Sequence, residues 1–474
     1  MSHLLLLVPF AAVLLLNVLP KRARVAGIWI AFGVLVLETA AAFIAKFGWV
    51  DLSALASLDQ VFRFHLAPDG LSELLILCAG LVGMASLLVA WKTSHEVEER
   101  FTFANLVLIA LVGINGIAMV HDLFSLYVFV EITAVATFIL ITTRRTGEHG
   151  IQAFEGAWKY ILLSVVASVL MLLGIAFFFL SADGISLDAV RQALATGAPL
   201  AWVATTLFLC GLFVKGALVP FHGWLADAYT AAPAPVSVFM AGIVTKASGI
   251  FALLRLAQEA LHGAAPGREI LLVGGAVTIV IGALLALTQT NMKRMLAYSS
   301  ISQMGYIVLA LGGDLSLGIL AAGFHFFNHA VSKSQLFANA AAIEKELGTL
   351  DMTQMGGLGS RMPVTAGTAA VASLSIAGLP PLAGFWSKLL IVLALWKAGE
   401  YSFAAVAILA SLVTLAYFLV LQRNVFFGKR EDRWAAVHET ATGLLVPAVA
   451  LAAVTIALGV GFPFALKVLL GGGA

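Results

Sequence analysis

The sequence predicts an all-α, polytopic membrane protein. Of 474 residues, 61% are hydrophobic and only 11% are charged, against about 25% charged in an ordinary soluble domain. The mean hydropathy is +1.02, and lipid rather than water can cover so apolar a surface. Apolar runs of the roughly 20 residues needed to cross a bilayer recur along the whole chain. The net charge of +2 gives no reason to expect nucleic acid as a partner.

The first run, 3–19, has no basic residue before it and no small-x-small site after it. The basic cluster Lys21, Arg22 and Arg24 comes behind it. That polarity is wrong for a cleaved leader, so the run reads as a retained first helix with the N-terminus outside. Thirteen further runs lie near 25–45, 71–92, 102–120, 122–143, 153–180, 200–221, 234–256, 269–290, 298–312, 315–343, 365–396, 402–423 and 442–465. About 14 transmembrane helices result, and the C-terminus also falls outside.

The loops agree with this order. On the inside they carry Lys21, Arg22 and Arg24; Lys92 and Arg100; Arg144 and Arg145; Lys293 and Arg294; Lys345 and Arg361; and Arg423, Lys429, Arg430 and Arg433. The outside loops carry only Arg63, Arg191, Arg268 and Lys397. Basic residues thus favour alternate loops, as the positive-inside rule asks. The loop 226–233 carries no cation. In the longest outside loop, 46–70, the alternating stretch 60–66 followed by Pro68-Asp69-Gly70 reads as a short hairpin over the outer face. No linker or soluble domain interrupts the chain, so 1–474 reads as one membrane domain. Its parts would be peripheral helices 1–3 (1–100), two repeats (101–260 and 265–425) and a C-terminal helix (440–474). Cys78 and Cys210 lie far apart in apolar runs, outside any CxxC, zinc or iron–sulfur pattern, and read as two small buried hydrophobes.

Placing an ionisable group at the bilayer centre costs about 2.5–3.5 kcal/mol on insertion scales. Glu131, Lys215, Lys246, Lys333 and Lys388 all sit inside apolar runs, and Glu131 is read as the one clear mid-membrane carboxylate. Any single lysine could snorkel or form a structural ion pair. Four on four helices, none at a helix end on this map, favour function. Desolvation lowers a buried lysine's pKa and a nearby carboxylate raises it, so such a lysine can exchange protons near neutrality. Arginine stays charged, and no arginine is expected in mid-membrane. Glu131 is expected to pair with Lys215 and modulate it. His325, His329 and Lys333 follow an i, i+4, i+8 spacing along one helix face, and histidine titrates near physiological pH. The ladder could pass protons through waters, or could be a polar face satisfied by neighbouring helices. It has no carboxylate or thiolate to complete a metal site, and no cofactor fingerprint occurs.

Pro220 lies five residues after Lys215, and Pro380 and Pro381 precede Lys388. Proline inside a spanning helix frees carbonyls, tolerated only where protein or water satisfies them, and broken helices point to ion sites in transporters. Leu218-Val-Pro-Phe-His-Gly-Trp aligns with Leu379-Pro-Pro-Leu-Ala-Gly-Phe. The two segments are five helices apart, and an odd offset reverses topology. Helices 4–8 and 9–13 are therefore expected to be two inverted five-helix repeats with helices 7 and 12 broken.

At these residues the chain resembles the antiporter-like membrane subunits shared by respiratory complex I (NADH-quinone oxidoreductase), Mrp-type sodium/proton antiporters with their D-type subunit, and membrane-bound energy-converting hydrogenases. The resemblance spans roughly 60–430. Its most specific pieces are Val130-Glu-Ile, the stretch Lys215-Gly-Ala-Leu-Val-Pro-Phe-His-Gly-Trp running on to Ser237, Thr245-Lys246, Lys293-Arg-Met-Leu-Ala-Tyr-Ser-Ser-Ile-Ser-Gln-Met-Gly, and Gly378-Leu-Pro-Pro-Leu-Ala-Gly-Phe. It implies a fourteen-helix fold, a modulating pair Glu131–Lys215 and a central relay lysine Lys246. It also implies a hydrated axis through His325, His329 and Lys333, and a terminal position at Lys388 where some members carry glutamate. Other membrane subunits of one complex are the implied partners, in a cell (inner) membrane, with redox chemistry elsewhere. The chain lacks the long C-terminal extension of the largest complex I members and so resembles the shorter ones.

The function expected is proton translocation, with Na⁺ as the other candidate ion. A structural scaffold whose buried charges only orient helices is the alternative. A membrane enzyme is the third reading, without a nucleophile motif to support it. His222, Trp224 and Asp227 lie by the first break, with Trp224 read as an interfacial anchor and Asp227 as a helix-end residue.

Overall fold

In the computed structural model, residues 2–46, 66–94, 96–143, 147–261, 265–429, 432–462 and 464 are described. Among them there is no strand, only isolated bridges such as Leu66–Val120. The helices are α1 (Ser2–Val18), α2 (Gly27–Lys46), α3 (Gly70–Thr93), α4 (Val97–Met119), α5 (Leu123–Ile141) and α6 (Gly147–Ser181). The seventh is split into α7a (Pro199–Lys215) and α7b (Gly223–Ala231), and α8 is Ala234–Leu261. Then come α9 (Ala265–Leu287), α10 (Met292–Leu311) and α11 (Leu315–Leu347). The twelfth is split into α12a (Pro363–Ala377) and α12b (Ala383–Lys397), followed by α13 (Tyr401–Phe427) and α14 (Thr442–Val460). All fourteen expected segments carry helix. Ten are long and apolar enough to cross a membrane.

Short polar side chains in the loops start several of these helices. Asp69 accepts from Ser72 N at 2.9 Å and Asp122 from Ser125 N at 2.8 Å. Asn291 accepts from Arg294 N at 3.1 Å and Asp314 from Leu317 N at 3.0 Å. Each cap satisfies an amide that the first helical turn would otherwise leave bare.

Two local expectations need correction, and one short helix was not expected. Pro68-Asp69-Gly70 forms the N-cap of α3 rather than a hairpin turn, because Asp69 and Ser72 close a reciprocal capping box. Most of the expected hairpin, 60–65, lies outside the described residues. The tenth helix starts at Met292, not near 298, so Lys293 and Arg294 belong to its first turn rather than to a loop. Their charge is compensated: Lys293 Nζ meets Glu344 at 2.7 Å and Arg294 meets Asp227 at 2.6 Å. A short amphipathic helix, Leu187–Ala195, also joins α6 to α7a and buries Leu187, Val190 and Leu194. Its 9 residues were too few to stand out among apolar runs.

α8 is enclosed on every side, whereas α6 turns much of its surface outward. The outward side chains are apolar: Trp158, Val169 and Phe179 on α6, Leu284 on α9, and Leu409 and Leu412 on α13. Such a belt is what a bilayer or neighbouring helices would cover. α11 packs against α3, α8, α10, both halves of helix 12 and α14. His325, His329 and Lys333 on α11 therefore lie at the centre of the bundle.

Candidate functional site

Helix 7 breaks because Gly216 and Ala217, the latter at φ 53°, turn the chain before Pro220. Lys215 is consequently the last residue of α7a, at a helix end contrary to expectation, but at an internal one. Its Nζ donates to Glu131 Oε1 at 2.7 Å and to Ser164 Oγ at 2.6 Å, and Ser168 Oγ donates to the same Glu131 oxygen at 2.7 Å. Lys215 is buried, while the Glu131 side chain keeps 28% of its surface in an outer groove lined by Leu106, Tyr127, Val135 and Ile139. Trp224 is not an interfacial anchor. It is buried, and its indole N–H donates to the Val214 carbonyl at 3.0 Å, pinning one side of the break to the other. Asp227 is more than a helix-end residue: it bonds Lys159 on α6 at 2.7 Å and Arg294 on α10 at 2.6 Å.

Lys246 sits in α8 where the helix is π-wound, over Met240–Val244 and again over Lys246–Phe251. π-turns are wider than α-turns and recur at functional sites. Lys246 is fully buried, and its one hydrogen-bond partner among the described residues is the Ala241 carbonyl. A Cβ on Gly249 would stand 2.2 Å from the Gly216 nitrogen, so α8 touches the break of helix 7 backbone to backbone. A Cβ on Gly242 would stand 2.1 Å from Ser334 Oγ, placing the other side of Lys246 against α11.

His325, His329 and Lys333 are all buried on α11. The two imidazoles lie parallel with centroids 6.2 Å apart. His325 Nδ1 bonds Ser387 Oγ at 2.9 Å, while the ring nitrogens of His329 have no hydrogen-bond partner among the described residues. Lys333 Nζ donates to the Leu296 carbonyl at 2.9 Å and lies over the Phe418 ring. Helix 12 breaks at Gly378 (φ 91°) and Pro381. Lys388, on α12b, reaches back over that break to the Ala377 carbonyl at 3.4 Å, with its Nζ 4.5 Å above the Tyr306 ring. His325 and His329 each lie within Coulombic reach of Lys246 and of Lys388. The structure thus pairs Glu131 with Lys215, brings the Gly249 backbone near Lys246 against the end of α7a, and buries His325, His329 and Lys333 on one helix. One lysine has a carboxylate partner, and three have only backbone carbonyls and aromatic faces.

The sequence reading missed four groups of polar residues. Ser164 and Ser168, spaced i, i+4 on α6, complete the Glu131–Lys215 pair. Ser387 and Tyr306 flank His325 and Lys388. Arg255 near the end of α8 is fully buried within the protein. It forks onto Asp69 at 2.6 and 3.0 Å and also meets Glu259 at 3.0 Å, Ser72 at 3.0 Å and the Ala118 carbonyl at 2.8 Å. Glu38, mid-way along α2, is a buried carboxyl, so Glu131 is not the one carboxylate set inside an apolar run. The apolar run around Glu38 was the available signal. Among the described residues no group of three or more His, Cys, Asp and Glu side chains could hold a metal ion.

Residues 120–437 match the family model described as NADH:quinone oxidoreductase/Mrp antiporter, TM. The chain is 34% identical over 368 residues to the NADH-quinone oxidoreductase subunit N of Desulforudis audaxviator, covering 76% of this chain and 72% of that one. It is 31% identical over 414 residues to the D-type subunit of the Na(+)/H(+) antiporter of Alkalihalophilus pseudofirmus, covering 86% and 83%. In three dimensions it resembles a chain of the Mrp complex of a Dietzia species, with a TM-score of 0.87, 27% identity, and 99% and 96% of the two chains covered.

Proposed function

The chain belongs to the NADH:quinone oxidoreductase/Mrp antiporter family, and on that premise we propose that it carries protons along the buried row from Glu131 to Lys388. It is an antiporter-like, multi-pass subunit of a bacterial or archaeal membrane, working beside other membrane subunits in a complex that translocates protons or cations.

In this reading Glu131 modulates Lys215, Lys246 is the central relay, His325, His329 and Lys333 extend the path, and Lys388 ends it. The observation that carries the reading is the partnering of the lysines. A lysine kept for architecture needs a carboxylate, as Lys293 has in Glu344 at 2.7 Å. Lys246, Lys333 and Lys388 have none among the described residues and sit where an unpaired charge is costly. Their ammonium groups can give up a proton, which an arginine could not. The unpartnered His329 nitrogens and Asn328 Nδ2 are polar enough to hold bridging waters between the lysines. Arg255, by contrast, is held by the carboxylates of Asp69 and Glu259 and fits the scaffold reading. Protons are favoured over Na⁺ because the row offers mainly nitrogen groups, where sodium needs several oxygens.

Two further readings belong to this proposal. The repeats 101–260 and 265–425 are inverted copies, a view supported by the two breaks. Ala217 and Gly378, which the alignment superposes, both hold positive φ (53° and 91°), and half-helices restart at Gly223 and Ala383. The N- and C-termini lie on the outer side, the orientation that places the basic loops inside.

The test is Lys246→Ala and, separately, Lys246→Arg in the intact complex, with ion flux measured in sealed vesicles. Both are expected to cut flux to about a tenth or less, the arginine variant because it keeps the charge but cannot release the proton. Normal flux with normal assembly would overturn the relay.

A further inference from the structure

Glu38 lies twelve residues into α2, between the apolar stretches Ile28–Leu37 and Ala40–Ile44, and is 4% exposed. Its partner is Asn115 of α4, which is fully buried. Asn115 Nδ2 donates one hydrogen to Glu38 Oε2 at 3.1 Å and the other to the Leu5 carbonyl of α1 at 2.7 Å. Both donors of the amide are therefore used. Among the described residues two atoms remain without a partner, Glu38 Oε1 and Asn115 Oδ1, and both are buried. Each is the second oxygen or the carbonyl of a planar group already joined to the other through its remaining atom.

If Glu38 were ionised, both of these oxygens would be acceptors without a donor. The carboxylate would also lack a cationic partner among the described residues. Each unpaired buried polar atom costs about 1–3 kcal/mol, and a bare charge at membrane depth costs more. One proton removes all three penalties. A carboxylic acid and a primary amide are complementary: the acid O–H donates to the amide oxygen while the amide N–H donates to the acid carbonyl. We propose that Glu38 is a proton-binding site, held as the neutral acid with its Oε1–H donated to Asn115 Oδ1.

Other titratable groups on the packed elements leave this assignment intact. α2 carries none besides Glu38 between Gly27 and Lys46. α1 contributes the buried His3, two residues before Leu5. α3 contributes Glu73 in its first turn and the buried thiol Cys78. α4 keeps its charges, Glu98, Glu99 and Arg100, at the end remote from Asn115, and Lys21, Arg22 and Arg24 stand before the start of α2. Glu38 lies on a peripheral helix and Asn115 on α4, both outside residues 120–437, and neither belongs to the row that ends at Lys388.

Infrared difference spectra of the intact complex, native against Glu38→Gln, test this near pH 8, where an ordinary glutamate (pKa about 4.3) is ionised. The native protein should show the carbonyl stretch of a protonated acid that the variant lacks. The Gln side chain offers the same donor and acceptor as the neutral acid, so the variant should assemble with unchanged thermal stability. Dicyclohexylcarbodiimide, which attacks protonated carboxyls in apolar surroundings, should label the Glu38 peptide at the same pH. Absence of the acid band, or failure of Glu38→Gln alone to assemble, would mean that the ionised form is the native one and would overturn the proposal. Sodium ions blocking the labelling at fixed ionic strength would overturn it in favour of a sodium site.

Discussion

Glu131 and Lys215 illustrate what a single residue type can tell. A carboxylate in the middle of Leu126-Tyr-Val-Phe-Val-Glu-Ile is conspicuous because few residues cost more there, and the structure gives it a lysine at 2.7 Å. The lysines were legible for the same reason. Their hydroxyl partners were not: Ser164, Ser168 and Ser387 cost little in a helix and bond equally well to their own backbone, as Ser168 does to the Ser164 carbonyl at 2.8 Å. Glu38 was as legible as Glu131 and went unread because no broken helix or basic residue stands near it. Glu131→Gln should leave Lys215 bonded to Ser164 and assembly intact, yet lower ion flux about tenfold by removing the charge that stabilises its ammonium form. Flux in vesicles checks this, and full activity would remove Glu131 from the path.

At the scale of the element, the prolines announced both breaks, but the glycines that seat them are visible only in three dimensions. A Cβ on Gly384 would stand 1.6 Å from the Ser375 carbonyl, and one on Gly249 would stand 2.2 Å from Gly216. Backbone cannot retreat as a side-chain tip can. Gly249→Val and Gly384→Val should each destabilise the fold by about 1–3 kcal/mol or more, seen as lower melting temperatures in detergent, whereas Gly367→Ala, where a Cβ meets nothing within 4 Å, should not. The π-winding of α8 carries no composition signature and could not be read in advance. Outside the spans, His121 sits 2.8 Å from Glu259 and from the Ala67 carbonyl. The Glu259 hydrogen bond, outweighing burial, holds its pKa above the ordinary 6.5. Its stabilising contribution is therefore complete below about pH 6.5 and fades as pH rises through the raised value. Asp69 behaves oppositely. Burial pushes its carboxyl up, but the hydrogen bond and charge of Arg255, with Ser72, bring it down to about 2. Its contribution is complete above about 3.8 and is lost only as pH falls toward 2. Melting curves from pH 6 to 9 should show a small decline that His121→Ala abolishes. An unchanged slope in that variant would count against the bridge.

Across the whole molecule, the positions and order of the apolar helices followed from hydropathy alone, because an apolar stretch of spanning length has few other fates. What hydropathy could not give is the lateral arrangement, which helix is central and which faces outward. That depends on small residues and polar ties between distant segments. Asp227 is such a tie, joining α7b to α6 through Lys159 and to α10 through Arg294. All three side chains keep some exposure, so the gain is modest. Asp227→Asn should lower the melting temperature by about 1–2 °C, and a larger fall would mean that the clamp carries more than its exposure suggests. The enclosure of α8 has a last consequence, for the surrounding lipid. An element that no acyl chain touches cannot respond directly to bilayer thickness or headgroup type. α6, α9 and α13, whose apolar faces point outward, take that load. Changing lipid composition should therefore alter how firmly this chain is held by its neighbours well before it alters the packing around Lys246.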